Sequence, residues 1–95
     1  MAKISKITRY WAEWCKPCQA FAHTFEEASN DEKYKDIEFK SLNIESEGFD
    51  DSVKFAIRSI PTTIIFDEDE KVLRKVVGNV SLTVLKEIID EVIQS

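Results

Sequence analysis

The chain has 95 residues, 43% hydrophobic and 33% charged, the balance of an ordinary globular protein rather than a disordered one. Asp and Glu outnumber Lys and Arg, 18 to 13, for a formal net charge of −5, which excludes the electrostatic footprint of a nucleic-acid or anionic-membrane binder. With 2 Gly, 2 Pro and no apolar run near the ~18 residues of a bilayer span, linker-rich and membrane-spanning readings also fall away, and residues 1–95 fit one domain able to bury a modest core.

The segment up to Trp14 carries Lys3, Lys6 and Arg9 and no continuous apolar stretch. It does not read as a secretory signal, so a cytoplasmic location is expected. Within it, Ile4 to Tyr10 mixes apolar, basic and β-branched residues and predicts a short strand. Trp11 to Pro17 follows as an aromatic-rich turn. From Cys18, the positions Phe21, Ala22, Phe25 and Ala28 recur at helical spacing, with Glu26, Glu27 and Asn30 on other faces, and Asn30-Asp31 closes the helix.

Ile37 to Ile44 predicts a second strand, broken by Ser46-Glu47-Gly48. Asp50 or Asp51 is placed to cap a short helix carrying Val53, Phe55, Ala56 and Ile57. Pro61 marks the start of a β-branched strand, Thr62 to Phe66, because proline cannot donate to a central ladder. Asp67 to Glu70 is an acidic turn, Lys71 to Val77 the next strand, and Gly78 its stop; the short turn predicts an antiparallel hairpin. Ser81 caps a last helix whose apolar set is Leu82, Leu85, Ile88, Ile89, Val92 and Ile93. The order β-α-β-α-β-β-α predicts an α/β sheet with helices on its faces.

The two cysteines, Cys15 and Cys18, lie in one tetrapeptide after a strand and at a helix start. A bridge there closes too small a loop to serve as a staple, so the pair reads as chemistry. In thiol–disulfide exchange a thiolate attacks a disulfide and a second thiol within reach resolves the mixed disulfide, which two intervening residues allow. Backbone amides and the macrodipole at the helix start favour negative charge on Cys15. Lys16 adds a positive charge, and Pro17 suits the first turn. Cys15 is expected to be exposed and Cys18, one turn on, more buried. The competing readings are a metal site and two inert thiols. A structural zinc site needs four ligands, and the chain offers two Cys and one His, with His23 on another face of the helix, so no metal is expected.

The run Tyr10-Trp11-Ala12-Glu13-Trp14-Cys15-Lys16-Pro17-Cys18 resembles the active-site segment of the thioredoxin family. Arg58-Ser59-Ile60-Pro61-Thr62 resembles that family's Ile-Pro-Thr loop, Val77-Gly78 its Val-Gly loop, and Ser41-Leu42-Asn43-Ile44 its third strand. The resemblance implies a thioredoxin-like α/β fold with a four-stranded mixed sheet ordered 2-1-3-4 and helices on both faces. It implies a protein-disulfide oxidoreductase in which Cys15 attacks and Cys18 resolves, with a cis Ile60–Pro61 bond. Trp14, Lys16, Pro17, Ile60, Pro61 and Gly78 would then meet the substrate. It further implies protein disulfides as substrates, a reductase as electron donor, no cofactor beyond the dithiol, and a monomer. A glutathione-linked, glutaredoxin-like enzyme is the alternative within the same chemistry, but it needs a cationic and polar set beyond Lys16 and Arg58. A non-enzymatic binding module using the Trp14, Ile60 and Gly78 patch is the alternative outside it. Gly78 also fits a plain turn glycine with positive φ.

Three positions depart from the family pattern. Only 14 residues precede Cys15, so the usual first strand and helix are expected to be missing and the Ile37–Ile44 strand to form an edge. Lys16 replaces the family's glycine between the cysteines. Arg9 replaces a buried acidic residue six positions before the attacking cysteine, and Ser41 replaces its accompanying lysine. Arg9 has two readings. A head held near the cysteines would favour thiolates. A packed stem with its head in water avoids burying an unpaired charge, which makes it the favoured expectation.

Overall fold

The computed structural model describes residues 3–95. β1 (Ile4–Trp11) leads into α1 (Lys16–Ser29), followed by a 3₁₀ turn at Glu32–Tyr34 and β2 (Glu38–Asn43). Then come α2 (Phe49–Lys54), β3 (Thr62–Asp67), β4 (Val72–Val77) and α3 (Leu82–Gln94). The strands form one sheet ordered β2-β1-β3-β4. β1 runs parallel to β2, while β1 with β3 and β3 with β4 are antiparallel. This is the mixed four-stranded sheet that the resemblance implies, with the second strand at an edge.

Strand alternation sorts β1 onto two faces. Ile7 joins Phe21, Phe25 and Ala28 of α1, Ile65 of β3 and Leu85, Ile89 and Val92 of α3 in the main core. Each fully buried Ile or Leu in that set is worth about 1.5–3 kcal/mol over its exposed state. The opposite face gathers Tyr10, Ile64 and Phe66 under Leu42, Ile44, Phe55 and Ile57. Tyr10 also donates its hydroxyl to Asp51 of α2 at 2.7 Å, so α2 covers the face away from α1 and α3.

One helix start and one helix end follow the sequence pattern, and one helix start departs from it. Ser81 caps α3 by accepting the Val84 amide at 3.2 Å. Asn30 closes α1 as expected. At α2 the cap position is Gly48, not an aspartate; Asp50 and Asp51 lie in the first turn, where carboxylates complement the positive end of the helix. Gly48 is fixed there by close approach: its amide donates to Asn43 O at 2.7 Å, and an added Cβ would stand 2.9 Å from that oxygen and from Leu42 Cβ.

The C-terminal end of α2 is also earlier than the apolar pattern suggests. Of Val53, Phe55, Ala56 and Ile57, only Val53 is helical. Ala56 adopts φ 52, and the amides of Ile57 and Ala56 donate back to Ser52 O at 2.9 Å and Val53 O at 3.2 Å. That is a Schellman closure with alanine in the left-handed position that glycine usually takes. It turns Phe55 and Ile57 down onto the sheet, where they pack with Phe66 and Ile64.

Candidate active site

β1 ends at Trp11 and the chain turns over Ala12 to Trp14 into α1. The Cys15 amide donates to Ala12 O at 3.2 Å, and the Gln19 side chain donates to Glu13 O at 2.8 Å, which fixes the turn against the first turn of the helix. Cys15 is the N-cap of α1: its extended backbone precedes the first helical residue, and its sulfur accepts the Cys18 amide at 3.2 Å. A cysteine sulfur thus occupies the position where Ser, Thr or Asp usually accepts a free helix amide. Pro17 sits in the first turn, where its missing N–H leaves no gap in the ladder.

Cys15 and Cys18 are joined as a disulfide, with Cα atoms 5.2 Å apart. Both are buried, Cys15 with 4% of its surface exposed and Cys18 with none, so the expectation of an exposed Cys15 is corrected. The order of accessibility is as expected, but the turn and the Ile60 loop close over the pair. Ile60 O lies 3.7 Å from Cys15 Sγ, and Ile60 packs on the cluster formed by Ala12, Cys15 and Cys18. The Ile60–Pro61 bond is cis, as the resemblance implies. Thr62 Oγ1 donates to Ser59 O at 2.6 Å and ties the loop to the start of β3.

Gly78 donates its amide to Pro61 O at 2.8 Å, which brings the end of β4 beside that loop. Its φ of +101° explains the glycine, since an added Cβ would meet nothing within 4 Å. Trp14 stands in the turn next to Cys15 and is 65% exposed, and Lys16 and Pro17 are exposed in the first turn of α1. His23 is exposed on α1, as a solvated helix residue would be. Sequence reasoning missed Ile44 and Ala12, which pack against the cysteines, and Gln19, whose role as a brace carries no local signal.

Arg9 departs from the favoured expectation. Its Nη1 donates to Cys18 O at 3.3 Å and its Nε to Ser41 Oγ at 3.1 Å. The guanidinium stands over the rings of Trp11 and Phe25, 5.3 and 5.9 Å from their centroids. Two hydrogen bonds and two aromatic faces offset the desolvation that an unsupported charge would suffer. Burial still pushes its pKa below the usual arginine value.

A cysteine pair capping a helix that leaves a central strand, with a carbonyl against the sulfur, is the apparatus of a thiol–disulfide oxidoreductase on an α/β sheet. The thioredoxin family model matches residues 2–91. The chain is 45% identical over 85 residues to a thioredoxin of Buchnera aphidicola subsp. Acyrthosiphon pisum, covering 90% of this chain and 76% of that protein. It is 36% identical over 86 residues to a thioredoxin of Staphylococcus haemolyticus, covering 90% and 80%. A solved thioredoxin of Malassezia sympodialis superposes with a TM-score of 0.82 at 24% identity, over 94% of this chain and 74% of that one, and supports the fold. The chain belongs to the thioredoxin family and is a protein thiol–disulfide oxidoreductase. Among the described residues there is no helix long and apolar enough to cross a membrane and no cluster of His, Cys, Asp and Glu that could hold a metal ion.

Proposed function

We propose that Cys15 is the attacking cysteine and Cys18 the resolving one. The observation that carries this is the Cys18 amide on Cys15 Sγ, a helix-start donor aimed at the sulfur that would bear the charge. An unperturbed thiol of pKa about 8.5 is only roughly 3% thiolate at pH 7, so stabilisation of the charged form translates directly into attacking species. The Cys15 thiolate attacks one sulfur of a substrate disulfide and displaces the other as a thiolate. Cys18, once deprotonated, attacks Cys15 Sγ and releases the second substrate thiolate. The products are the Cys15–Cys18 disulfide and a substrate dithiol, and two electrons have moved.

Trp14, Lys16, Pro17, Ile60, Pro61 and Gly78 form the proposed rim for an extended substrate segment, with the Ile60 backbone nearest the sulfur. The dithiol is the only redox group this cycle requires. A reductase returns the electrons, and the proposed working form is a single-domain, cytoplasmic monomer that binds neither nucleic acid nor membrane.

Insulin reduction with dithiothreitol as donor tests the assignment. Cys15→Ser is expected to lose turnover, and Cys18→Ser to accumulate a mixed disulfide through Cys15. In the reduced protein, iodoacetamide should alkylate Cys15 first; preferential labelling of Cys18 would reverse the roles.

A further inference from the structure

Arg9 reaches from the central strand to the main chain of Cys18, and no carboxylate lies within ion-pair distance of it among the described residues. We propose that Arg9 is a positioning residue that sets the redox poise of the Cys15–Cys18 pair, its guanidinium stabilising the thiolate form of the reduced pair and weighting exchange toward the dithiol. The inference rests on the dithiol chemistry proposed above but not on which cysteine attacks.

The disulfide and the protonated thiols are neutral and feel the guanidinium weakly; a thiolate feels it as a full opposite charge. The head is fixed rather than free, by Cys18 O, Ser41 Oγ and the rings of Trp11 and Phe25. Its surroundings do little to cancel the charge. The groove of about 410 Å³ beside it receives His23 and Glu26 from α1, and β2 contributes the uncharged Phe39 and Ser41. Across the sheet, Arg9 pairs with Thr63 of β3, also uncharged. Glu26 and His23 are solvent-exposed, where water screens their effect. The bond to Cys18 O holds the guanidinium against the main chain of one of the two cysteines.

Below the lower thiol pKa, both cysteines are protonated with or without the Arg9 charge, and the potential is unaffected. Above it, the charge stabilises the reduced form, so the wild-type protein is the more oxidising partner. In the balanced exchange, the dithiol and glutathione disulfide give the Cys15–Cys18 disulfide and two glutathione thiols. Arg9→Gln is expected to favour the protein disulfide in that equilibrium by about threefold to tenfold at alkaline pH, roughly 14–30 mV.

The test measures thiolate absorbance and the glutathione equilibrium over about pH 5 to 9, a range that brackets the ordinary thiol value. Arg9→Gln should raise the pKa of the lower thiol and give a potential gap from wild type that closes at acid pH. Arg9→Lys should recover most of the shift by keeping the charge. Ser41→Asp keeps Arg9 in place and sets a carboxylate against it, so it should move the pKa in the same direction as Arg9→Gln; it serves equally should Arg9→Gln fail to fold. His23→Gln should leave the pH dependence unchanged; its loss in that variant would assign the effect to His23 instead. A gap independent of pH, unchanged values, or a shift in Arg9→Gln that Ser41→Asp does not share would overturn the proposal. All these variants retain both cysteines, so insulin reduction by wild type and Cys15→Ser decides the catalytic assignment separately.

Discussion

Tyr10 shows how much one hydroxyl does in this small core. It is fully buried on β1 and donates to Asp51, and burial followed by the Asp51 carboxylate pushes its pKa well above the ordinary tyrosine range. Tyr34 is held in the same way, by burial and by Asp90 of α3 at 2.8 Å. A folded pKa raised above the unfolded value means stability that is fully present below about pH 10 and lost as pH rises beyond it. Tyr10→Phe is expected to cost about 1–2 kcal/mol at neutral pH. The gap between the two proteins should then shrink above pH ~10 by about 1.4 kcal/mol per pH unit, because the variant no longer has that proton to lose. Urea unfolding at stepped alkaline pH measures this; a gap constant with pH would show that Tyr10 ionises as easily folded as unfolded. The aromatic character of Tyr10 is visible in the sequence, but its partner is not, since Asp51 lies 41 positions away and is brought in only by the sheet.

At the scale of elements, the end of α2 is the most improvable local feature. Ala56 holds a left-handed conformation while exposed, so its methyl gains no burial in return for the strain. Ala56→Gly should stabilise the protein by about 0.5–1 kcal/mol, read as a higher urea midpoint at unchanged slope. Destabilisation instead would mean that the entropy glycine adds to the unfolded chain outweighs the relief. The same residue explains why α2 was the element least legible in sequence. Alanine carries no stop signal, and Ile57 stands at helical spacing from Val53 although it and Phe55 pack as loop residues. α1 and α3 were legible because their apolar periods run long enough to mark a helix, and β1 and β3 because apolar and β-branched residues cluster there, with Pro61 marking where β3 starts. The cysteine pair was legible because its chemistry is local, whereas the inward turn of Arg9 depended on two aromatic rings, a serine and a carbonyl drawn from three elements.

For the molecule as a whole, the sheet formed by the described residues has β2 and β4 at its two sides. β2 forms one edge and exposes Glu38, Lys40 and Ser41; β4 forms the other and exposes Arg74 and Lys75 among Val72 and Val77. Charges along an edge oppose pairing with another strand, and the net charge of −5 adds repulsion between copies. Sedimentation over a concentration series is expected to give a monomer throughout; a mass that doubles with concentration would show that an edge pairs despite its charges. The topology itself was legible, since a strand-helix-strand start followed by a hairpin leaves few ways to order four strands, and the family motifs chose among them.

The cap of α1 has a consequence for the firmness of the protein through its working cycle. A helix that stabilises charge on its cap is stabilised by that charge in equal measure, because coupling between two equilibria is reciprocal. Cys15 is both the proposed attacking sulfur and the acceptor for the Cys18 amide, and α1 carries Phe21, Phe25 and Ala28 of the main core. The ionised dithiol is therefore the state in which the helix is gripped most tightly at its start. In the proposed cycle, once the Cys15 sulfur bonds to a substrate that charge is withdrawn, and the first turn loses the grip just when Cys18 has to approach.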